Sequence, residues 1–277
     1  MDLNWLECMI LGLVSGFTDV LPVSAQAHKA IFLKLFGENG EPALLRLAIH
    51  LSILFTMYYC CSTHIFRLVR QLKLNRIPKK NRKRPVDSKA IAEFKVLRVM
   101  IIPVILSVFL HTRTAQWGTR LNLTAVFLLI NGVILYIPRL MPTGNKDGLS
   151  MSMLDSLLMG LGSAVSALPG VSSVGAVVSV ASICGSERHF ALTLSYLAHL
   201  VLTTGLIILD IIAVVGGNVV FSIPVLICCL FAAVAAVVGT YFGMRVMRIL
   251  AANLGFGMFA FYSFGAALFS FILYLMV

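Results

Sequence analysis

A short stretch near the N-terminus, SGFTDVLPVSAQAH at residues 15–28, places polar and ionisable groups inside an otherwise apolar region. It carries a carboxylate at Asp19, several hydroxyls and an imidazole at His28, on either side of Pro22. Ionisable groups within apolar membrane segments are costly and usually face a cavity or a partner. Because the amides at the start of the second arm would also favour an anion, this combination predicts phosphate chemistry.

The hydroxyl groups near the carboxylate extend this candidate site. Ser15 lies four residues before Asp19 and shares its helix face, and Thr18 is on the same helix. We assign Asp19, Ser24 and His28 as candidate catalytic residues, with Ser15 and Thr18 as substrate-binding residues. The alternative is that the hydroxyls only satisfy the backbone that the proline breaks.

A second stretch, ALPGVSSVGAVVS at residues 167–179, repeats the pattern of proline followed by serine. Ser172, Ser173 and the backbone at Gly170 are further candidates for substrate binding. This stretch contains no cation, whereas phosphate sites usually use Arg or Lys. The missing cation counts against catalysis.

The composition predicts the environment of these groups. The chain has 277 residues, of which 59% are hydrophobic and only 12% are charged, with a mean hydropathy of +0.96. Soluble domains are typically about 25% charged. Several apolar runs reach the roughly 20 residues that a bilayer crossing needs, which indicates a polytopic, all-α integral membrane protein. We place its full crossings at about 43–65, 96–112, 123–141, 187–212, 219–243 and 254–277.

Two apolar regions, 3–36 and 151–184, do not fit that series. Each is interrupted by proline, at Leu21-Pro22 and at Leu168-Pro169-Gly170. Proline removes a helical N–H and disfavours helix at the preceding residue, so each region divides into pieces too short to span. We interpret both regions as re-entrant helical hairpins.

The order of these segments predicts an internal repeat. Three crossings separate the hairpins, so the second hairpin enters from the opposite face, and three more crossings follow. We therefore expect a single membrane domain over residues 1–277. It would consist of two inverted-topology repeats, about 1–141 and about 151–277, each a re-entrant hairpin plus three transmembrane helices.

The net charge of +11 is concentrated in one segment. Residues 67–98 hold twelve of the twenty-two Lys and Arg residues and only two acids. This segment lacks interleaved aromatic residues and joins two crossings, which argues against a nucleic-acid partner. A basic cytoplasmic loop at 66–95 follows the positive-inside rule, with seventeen basic residues on that side and five on the other. The first hairpin then opens to the outside.

Other polar residues have structural interpretations. The spacing Gly12-x-x-x-Gly16 predicts close helix packing. We interpret His50 as a hydrogen-bonded residue within the helix bundle and expect Asp210 to reach water. His64, His111 and His189 lie near predicted membrane ends, where we expect them at the interface.

The motifs resemble those of a known family. GLVSGFTDVLPVSAQAH resembles the first signature of the bacterial undecaprenyl-diphosphate phosphatases, or bacitracin-resistance proteins, approximately G-x-x-E-G-x-T-E-F-L-P-V-S-S-T-G-H. LPGVSSVGAVVS resembles their second signature, P-G-x-S-R-S-G-A-T. HLSIL at 50–54 is similar to H-L-G-T-L, and RHFALTLSYL at 188–197 is similar to R-Y-A-A-S-E-F-S-F-L. The resemblance covers essentially the whole chain.

Both signatures are degenerate in this sequence. In the first, the family's glutamates fall on Ser15 and Asp19, its serines on Ser24 and Ala25, and its histidine on His28.

In the second signature the family's serine is kept as Ser172, but its arginine falls on Ser173. The next serine falls on Val174 and the threonine on Val177. The loss of a phosphate-binding arginine and a carboxylate predicts a large loss of rate.

The resemblance implies a multi-pass protein of the bacterial plasma membrane that removes the terminal phosphate of undecaprenyl diphosphate. This reaction recycles the carrier lipid of cell-wall precursors, and the site would face outside. Asp19 would act as base or metal ligand. The resemblance is compatible with a divalent cation such as Mg²⁺, although we assign no dedicated metal site, and the sequence is compatible with a homo-oligomer.

Two alternatives stay open at this point. The first is a non-catalytic protein that binds a polyprenyl phosphate or diphosphate lipid, or moves it across the bilayer, on the same scaffold. The second is a transporter of small solutes, since inverted repeats with broken helices are common there.

Overall fold

A computed structural model describes residues 3–82, 84–217, 221–253 and 256–276. These residues form α-helices joined by short turns and single-turn 3-10 helices. The α-helices are α1 (Trp5–Asp19), α2 (Ala25–Leu35), α3 (Ala43–Arg76), α4 (Ser88–Thr114), α5 (Leu121–Tyr136), α6 (Met153–Val165), α7 (Ser173–Ile183), α8 (Arg188–Gly216), α9 (Ile223–Asn253) and α10 (Met258–Met276).

Six of these helices are long and apolar enough to cross a membrane: α3, α4, α5 with the 3-10 turn that follows it, α8, α9 and α10. They correspond to the six predicted crossings, so the protein is an all-helical, multi-pass membrane protein. The predicted boundaries at 219, 254 and 277 lie outside the described residues.

The basic segment is more helical than predicted. We expected a loop at 66–95, but α3 continues to Arg76 and α4 begins at Ser88, where the Asp87 side chain accepts a hydrogen bond from the Ala90 N–H. Lys, Arg, Gln and Leu are strong helix formers, which explains why α3 extends beyond its apolar part. The non-helical connection is therefore much shorter than the predicted loop.

Two pairs of short helices flank the proline-containing breaks. The first pair is α1 and α2, with 15 and 11 residues, and the second is α6 and α7, with 13 and 11. Both α1 and α6 begin with a capping box, at Asn4 and Ser152 respectively. Ser24 caps α2 and Ser172 caps α7. The breaks therefore lie where the sequence predicts them.

Small residues bring the first helix of each pair close to a long helix. A Cβ added at Gly12 would lie 2.1 Å from the Ala232 carbonyl oxygen, and one at Gly16 would lie 2.3 Å from that of Ala236, so α1 packs directly on α9. Gly160 on α6 approaches the Met100 backbone of α4 in the same way, with a distance of 2.6 Å. The predicted packing role of the glycine motif is confirmed.

The connection between α5 and α6 is fixed to the basic end of the bundle. Lys89 pairs with Asp147 at 3.2 Å, and this hydrogen bond holds the pKa of the Asp147 carboxyl below its usual range. The Lys146 N–H donates to the Gly185 carbonyl oxygen at 2.9 Å. The connection at 141–152 and the turn before α8 therefore lie on the same face as the start of α4.

Candidate functional site

The two breaks meet at the centre of the bundle, and Asn131 of α5 joins them. Its Oδ1 accepts from the Ser172 N–H at 2.9 Å, while its Nδ2 donates to the Pro22 carbonyl oxygen at 3.2 Å and to Ser263 Oγ at 3.0 Å. Ser172 Oγ also donates to the Leu21 carbonyl oxygen at 2.9 Å. Asn131 is fully buried. One amide therefore satisfies backbone groups that both breaks leave without helical partners.

A small inner cavity lies beside this junction. It has a volume of about 40 Å³, and its polar lining comes from both breaks and from two of the long helices. The polar lining residues are Asp19, Ser24, Gln26, His111, Ser166, Ser172, Ser173 and His199. One water occupies roughly 10–15 Å³ by this kind of measure, so the cavity has room for a group of a few heavy atoms.

The ionisable centre of the cavity is a pair formed by Asp19 and His199. His199 Nε2 lies 2.7 Å from Asp19 Oδ2, and the His199 side chain is only 5% exposed. Within the described part of the chain, His199 Nδ1 has no hydrogen-bond partner. A carboxylate that accepts from one ring nitrogen fixes the tautomer and leaves the other nitrogen for a proton or a ligand.

Two helix N-termini line the same cavity. Ser24 and Gln26 belong to the cap and first turn of α2, and Ser172 and Ser173 belong to those of α7. The first amides of a helix have no acceptor within the helix, and the helix dipole adds positive potential there. Two such ends at one cavity favour an anion.

Of the residues predicted from the sequence, Asp19, Ser24, Ser172 and Ser173 line the inner cavity together. Ser24 Oγ and Ser172 Oγ also accept from the amides of Ala27 and Gly175 as helix caps, at 3.3 and 3.1 Å.

The surroundings of four predicted residues are mainly structural: Ser15, Thr18, Ser173 and Gly170. Ser15 Oγ is buried and has no partner among the described residues, and Thr18 Oγ1 donates to the Val14 carbonyl oxygen at 2.7 Å. Ser173 Oγ lies 2.9 Å from Ser163 Oγ. A Cβ at Gly170 would lie 2.5 Å from the Cβ of Phe127, and its φ of +144° is rare for other residues. Gly170 therefore allows close packing on α5.

His28 does not belong to the lining of the inner cavity. Its Nδ1 donates to the Ser24 carbonyl oxygen at 2.7 Å, and its Nε2 lies 2.6 Å from the hydroxyl oxygen of Tyr262 on α10. The two rings are stacked, with 5.6 Å between their centroids. Both ring nitrogens of His28 are thus occupied by structural contacts.

A larger outer cavity of about 580 Å³ adjoins the inner one and shares Gln26, His111 and Leu206 with it. In its wall, Asp210 Oδ1 accepts from Arg46 Nε at 2.5 Å, and Asp210 Oδ2 lies 2.6 Å from His50 Nδ1.

The residues around the outer cavity show that two expectations, for Asp210 and His111, were wrong and that a third, for His50, is confirmed. Asp210 is 3% exposed instead of reaching water, because Arg46 and His50 both contact its carboxylate oxygens. His111 is also buried, at 8% exposure, because its Nδ1 donates to the Ser107 carbonyl oxygen. The hydrogen-bonded role predicted for His50 is confirmed.

The described residues that line the inner cavity include no Lys or Arg. Lys29 and Arg46, which could supply a substitute charge, lie in the wall of the outer cavity. Lys29 pairs with Glu41 at 2.8 Å, and Arg46 pairs with Asp210. The positive potential at the inner cavity therefore comes from the helix N-termini.

The donor set does not fit a divalent cation held by the protein. The described residues contain no cluster of three His, Cys, Asp or Glu side chains that could hold a metal ion. Asp19 has His199 as its partner, and the other polar groups of the cavity are neutral hydroxyls, the Gln26 amide and the His111 imidazole, whose Nδ1 donates to the Ser107 carbonyl oxygen.

Sequence reasoning did not identify His199, Asn131 or Ser163 as parts of the site. His199 and Asn131 are polar residues inside apolar helices, in LAHLVL and LLINGV, which is the signal that could have found them.

Comparison with known proteins identifies the family. Residues 8–269 match the family described as "Bacitracin resistance protein BacA". The chain is 29% identical over 251 residues to "Undecaprenyl-diphosphatase 1" of Bacillus licheniformis, covering 89% of this chain and 90% of that protein. It is 24% identical over 265 residues to an "Undecaprenyl-diphosphatase" of Methanobrevibacter smithii, covering 93% of each. The chain therefore belongs to the bacitracin resistance protein BacA family.

Proposed function

We propose that this protein binds the phosphate end of a polyprenyl diphosphate or monophosphate carrier lipid at the inner cavity, and that it hydrolyses the diphosphate slowly. The observation that carries the proposal is the position of the cavity, at the N-termini of α2 and α7 and beside the Asp19–His199 pair. The relatives named undecaprenyl-diphosphatases support the same lipid class.

The dimensions of the two cavities support a lipid whose headgroup enters from the outer one. The inner cavity, at about 40 Å³, suits a single phosphoryl group better than a whole diphosphate. The outer cavity, at about 580 Å³, has apolar as well as charged lining. A headgroup would extend from the inner cavity past Gln26 and His111, which border both.

The Asp19–His199 pair supplies a route for a proton. With Asp19 accepting from Nε2, His199 Nδ1 can take a proton from a water that attacks the terminal phosphorus. The bond between that phosphorus and the bridging oxygen breaks, and the products are inorganic phosphate and the lipid monophosphate. The Ser24 and Ser173 hydroxyls and the free amides in the first turns of α2 and α7 contribute donors to the phosphate oxygens. The Ser172 hydroxyl donates to the Leu21 carbonyl oxygen and holds the break in place.

The rate is low because two charged groups of the family signatures are absent. Ser15 and Ser173 stand where the resemblance expects glutamate and arginine, and no Lys or Arg among the described residues lines the cavity. Loss of one donor that stabilises developing charge typically costs 10²–10³ in rate. The same feature favours a second candidate function, binding or translocation of the lipid without hydrolysis.

We propose the finer architecture on the basis of helix packing. The short helix α1 packs on α9, and α6 packs on α4, which are the middle crossings of the opposite halves. Matching capping boxes and serine caps support two inverted repeats, about 1–141 and about 151–277, each a re-entrant pair plus three crossings, within one domain over 1–277.

We also propose the bacterial plasma membrane as the location of the protein. The excess of Lys and Arg on the face of the α3–α4 connection supports a cytoplasmic position for that face. The inner cavity and the outer cavity would then open toward the outside.

The test is phosphate release from undecaprenyl diphosphate by the purified full-length protein. We expect slow phosphate release by the natural sequence and at least a tenfold lower rate in Asp19→Asn. The control variant Asp147→Asn removes a carboxylate far from the inner cavity and should release phosphate at the natural rate. A triple variant (Ser15→Glu, Ala25→Ser, Ser173→Arg) should release phosphate at least 100-fold faster.

The outcomes separate the two candidate functions. Release that Asp19→Asn and the triple variant leave unchanged contradicts the proposed site. If the natural sequence and Asp19→Asn both bind the lipid saturably and neither releases phosphate, the result favours the non-catalytic function.

A further inference from the structure

A third cavity, separate from the inner and outer ones, lies at the opposite end of the bundle from Asp210. Its volume is about 380 Å³, and its walls come from the 3-10 turn and connection after α5, from α7 and the turn to α8, and from the residues at the start of α10. Arg188 begins α8 and Asp210 lies 22 residues later on the same helix. At 1.5 Å per residue they are about 33 Å apart along the axis, close to the thickness of a hydrocarbon core.

The charge of this cavity is entirely positive. It is lined by Arg139 and Arg188 together with the hydroxyls of Thr143, Ser182 and Ser186. No Asp or Glu is among the described lining residues, and neither arginine forms an ion pair within the described ranges. In contrast, Lys29, Arg46 and Arg67 all have acidic partners.

The position of Arg139 is fixed by contacts that leave its charge available. Its guanidinium carbon lies 5.3 Å from the ring centroid of Phe261. Gly257 permits close approach of the arginine stem, because a Cβ there would lie 3.0 Å from the Cβ of Arg139. A guanidinium held in this way loses little freedom when it binds an oxyanion.

The chemistry of the lining identifies the ligand class. The two guanidinium groups and the Thr143 hydroxyl offer donors to a tetrahedral oxyanion, and Arg pairs with phosphate in a bidentate manner. The Ser182 and Ser186 hydroxyls donate to the carbonyl oxygens of Val178 and Glu187. A volume of about 380 Å³ falls within the usual range of ligand pockets, roughly 300–1,000 Å³.

We propose that this basic cavity is a phosphate-binding site, separate from the inner cavity, and that its ligand is the headgroup of a membrane lipid. Apolar side chains in and near the cavity are exposed: Met258 of its lining at 44%, Phe261 under the Arg139 guanidinium at 57%, and Leu140, which follows Arg139, at 70%. They provide a surface for a lipid chain next to the arginines. The proposal is independent of hydrolysis at Asp19.

The test is the rate at which phenylglyoxal modifies each arginine in nanodiscs of phosphatidylcholine, measured by mass spectrometry. The three probes are farnesyl phosphate, farnesol and inorganic phosphate. We expect farnesyl phosphate at micromolar concentration to slow modification of Arg139 and Arg188 at least fivefold. Arg113 and Arg120, exposed arginines near the opposite end, are internal controls and should not change.

The arms of the experiment distinguish the sources of phosphate. Equal protection by inorganic phosphate at the same concentration supports a phosphate site but overturns the lipid as its source. Protection by farnesol as strong as that by farnesyl phosphate, or no protection by any probe, overturns the proposal.

Variants separate this site from the inner cavity. In the variant Asp19→Asn, farnesyl phosphate should protect Arg139 and Arg188 as strongly as in the natural sequence. Loss of this protection in Asp19→Asn would contradict a separate site. The double variant Arg139→Gln/Arg188→Gln should bind farnesyl phosphate with lower stoichiometry, whereas Arg113→Gln/Arg120→Gln should bind it like the natural sequence. Equal stoichiometry in both double variants also contradicts the proposal.

Discussion

The two helix pairs use a similar pattern of glycine, proline and serine to build different surroundings. LGLVSGFTDVLPVS at 11–24 and MGLGSAVSALPGVS at 159–172 both place a glycine in the first helix, a proline at the break and a serine that caps the second helix. Gly12 and Gly160 both approach the backbone of a long helix. The packing elements of the two pairs are therefore equivalent.

The chemical groups of the two pairs differ. The first pair has Asp19, paired with His199, where the second has Ala167. The second has a pair of hydroxyls, Ser163 and Ser173, where the corresponding Ser15 has no partner among the described residues. The comparison teaches that the scaffold depends on glycine, proline and the capping serines, while an ionisable residue stands just before the break, at Asp19, in the first pair only.

The largest expected effect comes from breaking the link between the two pairs. Asn131→Ala removes hydrogen bonds to Pro22, Ser172 and Ser263 and leaves buried backbone groups unpaired. We expect a loss of about 3 kcal/mol in the free energy of unfolding, measured by equilibrium unfolding in mixed micelles.

The matched control for Asn131→Ala is Thr124→Val on the same helix. Thr124 is also buried, and its hydroxyl has no partner among the described residues. This variant should unfold within about 0.5 kcal/mol of the natural sequence. Equal losses in both variants would mean that Asn131 does not join the breaks.

A smaller effect should come from the extra glycine of the second break. Gly170→Ala places a Cβ 2.5 Å from that of Phe127 at a φ of +144°. We expect a loss of about 2 kcal/mol in the same unfolding measurement. Gly40→Ala, in open space, should change stability by less than about 0.5 kcal/mol, and an equal loss there would refute the role of close packing.

The smallest effect tests the difference between the equivalent serines. Ser163→Ala removes the hydrogen bond to Ser173 and should cost about 1 kcal/mol. Ser15→Ala removes a buried hydroxyl without a described partner and should change stability by about 0.5 kcal/mol or less. If the Ser15 variant loses more than the Ser163 variant, the hydroxyl of Ser15 has a partner that this account lacks.

Much of the fold could be predicted because its determinants are local. Runs of about 20 apolar residues predict crossings, and Pro22 and Pro169 predict breaks because proline cannot donate a helical hydrogen bond. The spacing of Gly12 and Gly16 predicted close packing. The end of α3 at Arg76 was missed because a basic composition was interpreted as a loop, although Lys and Arg favour helix.

The site could be predicted only in part because its partners come from distant helices. Spacing within residues 15–28 identified Asp19 and Ser24, but it could not indicate that His199, 180 residues later, would pair with Asp19. It also could not indicate that His28 would contact Tyr262. The residues close to Asp19 in the sequence therefore indicated the first break correctly. They indicated only a few of the residues that line the inner cavity.

The central claim is that a lipid phosphate lies beside His199 and not beside His28. Solid-state NMR can measure ³¹P–¹⁵N dipolar dephasing between undecaprenyl phosphate and ¹⁵N-labelled histidine in nanodiscs. We predict dephasing for the natural sequence and for His28→Gln, and loss of most of it in His199→Gln. Dephasing that persists in His199→Gln but disappears in His28→Gln would contradict the account.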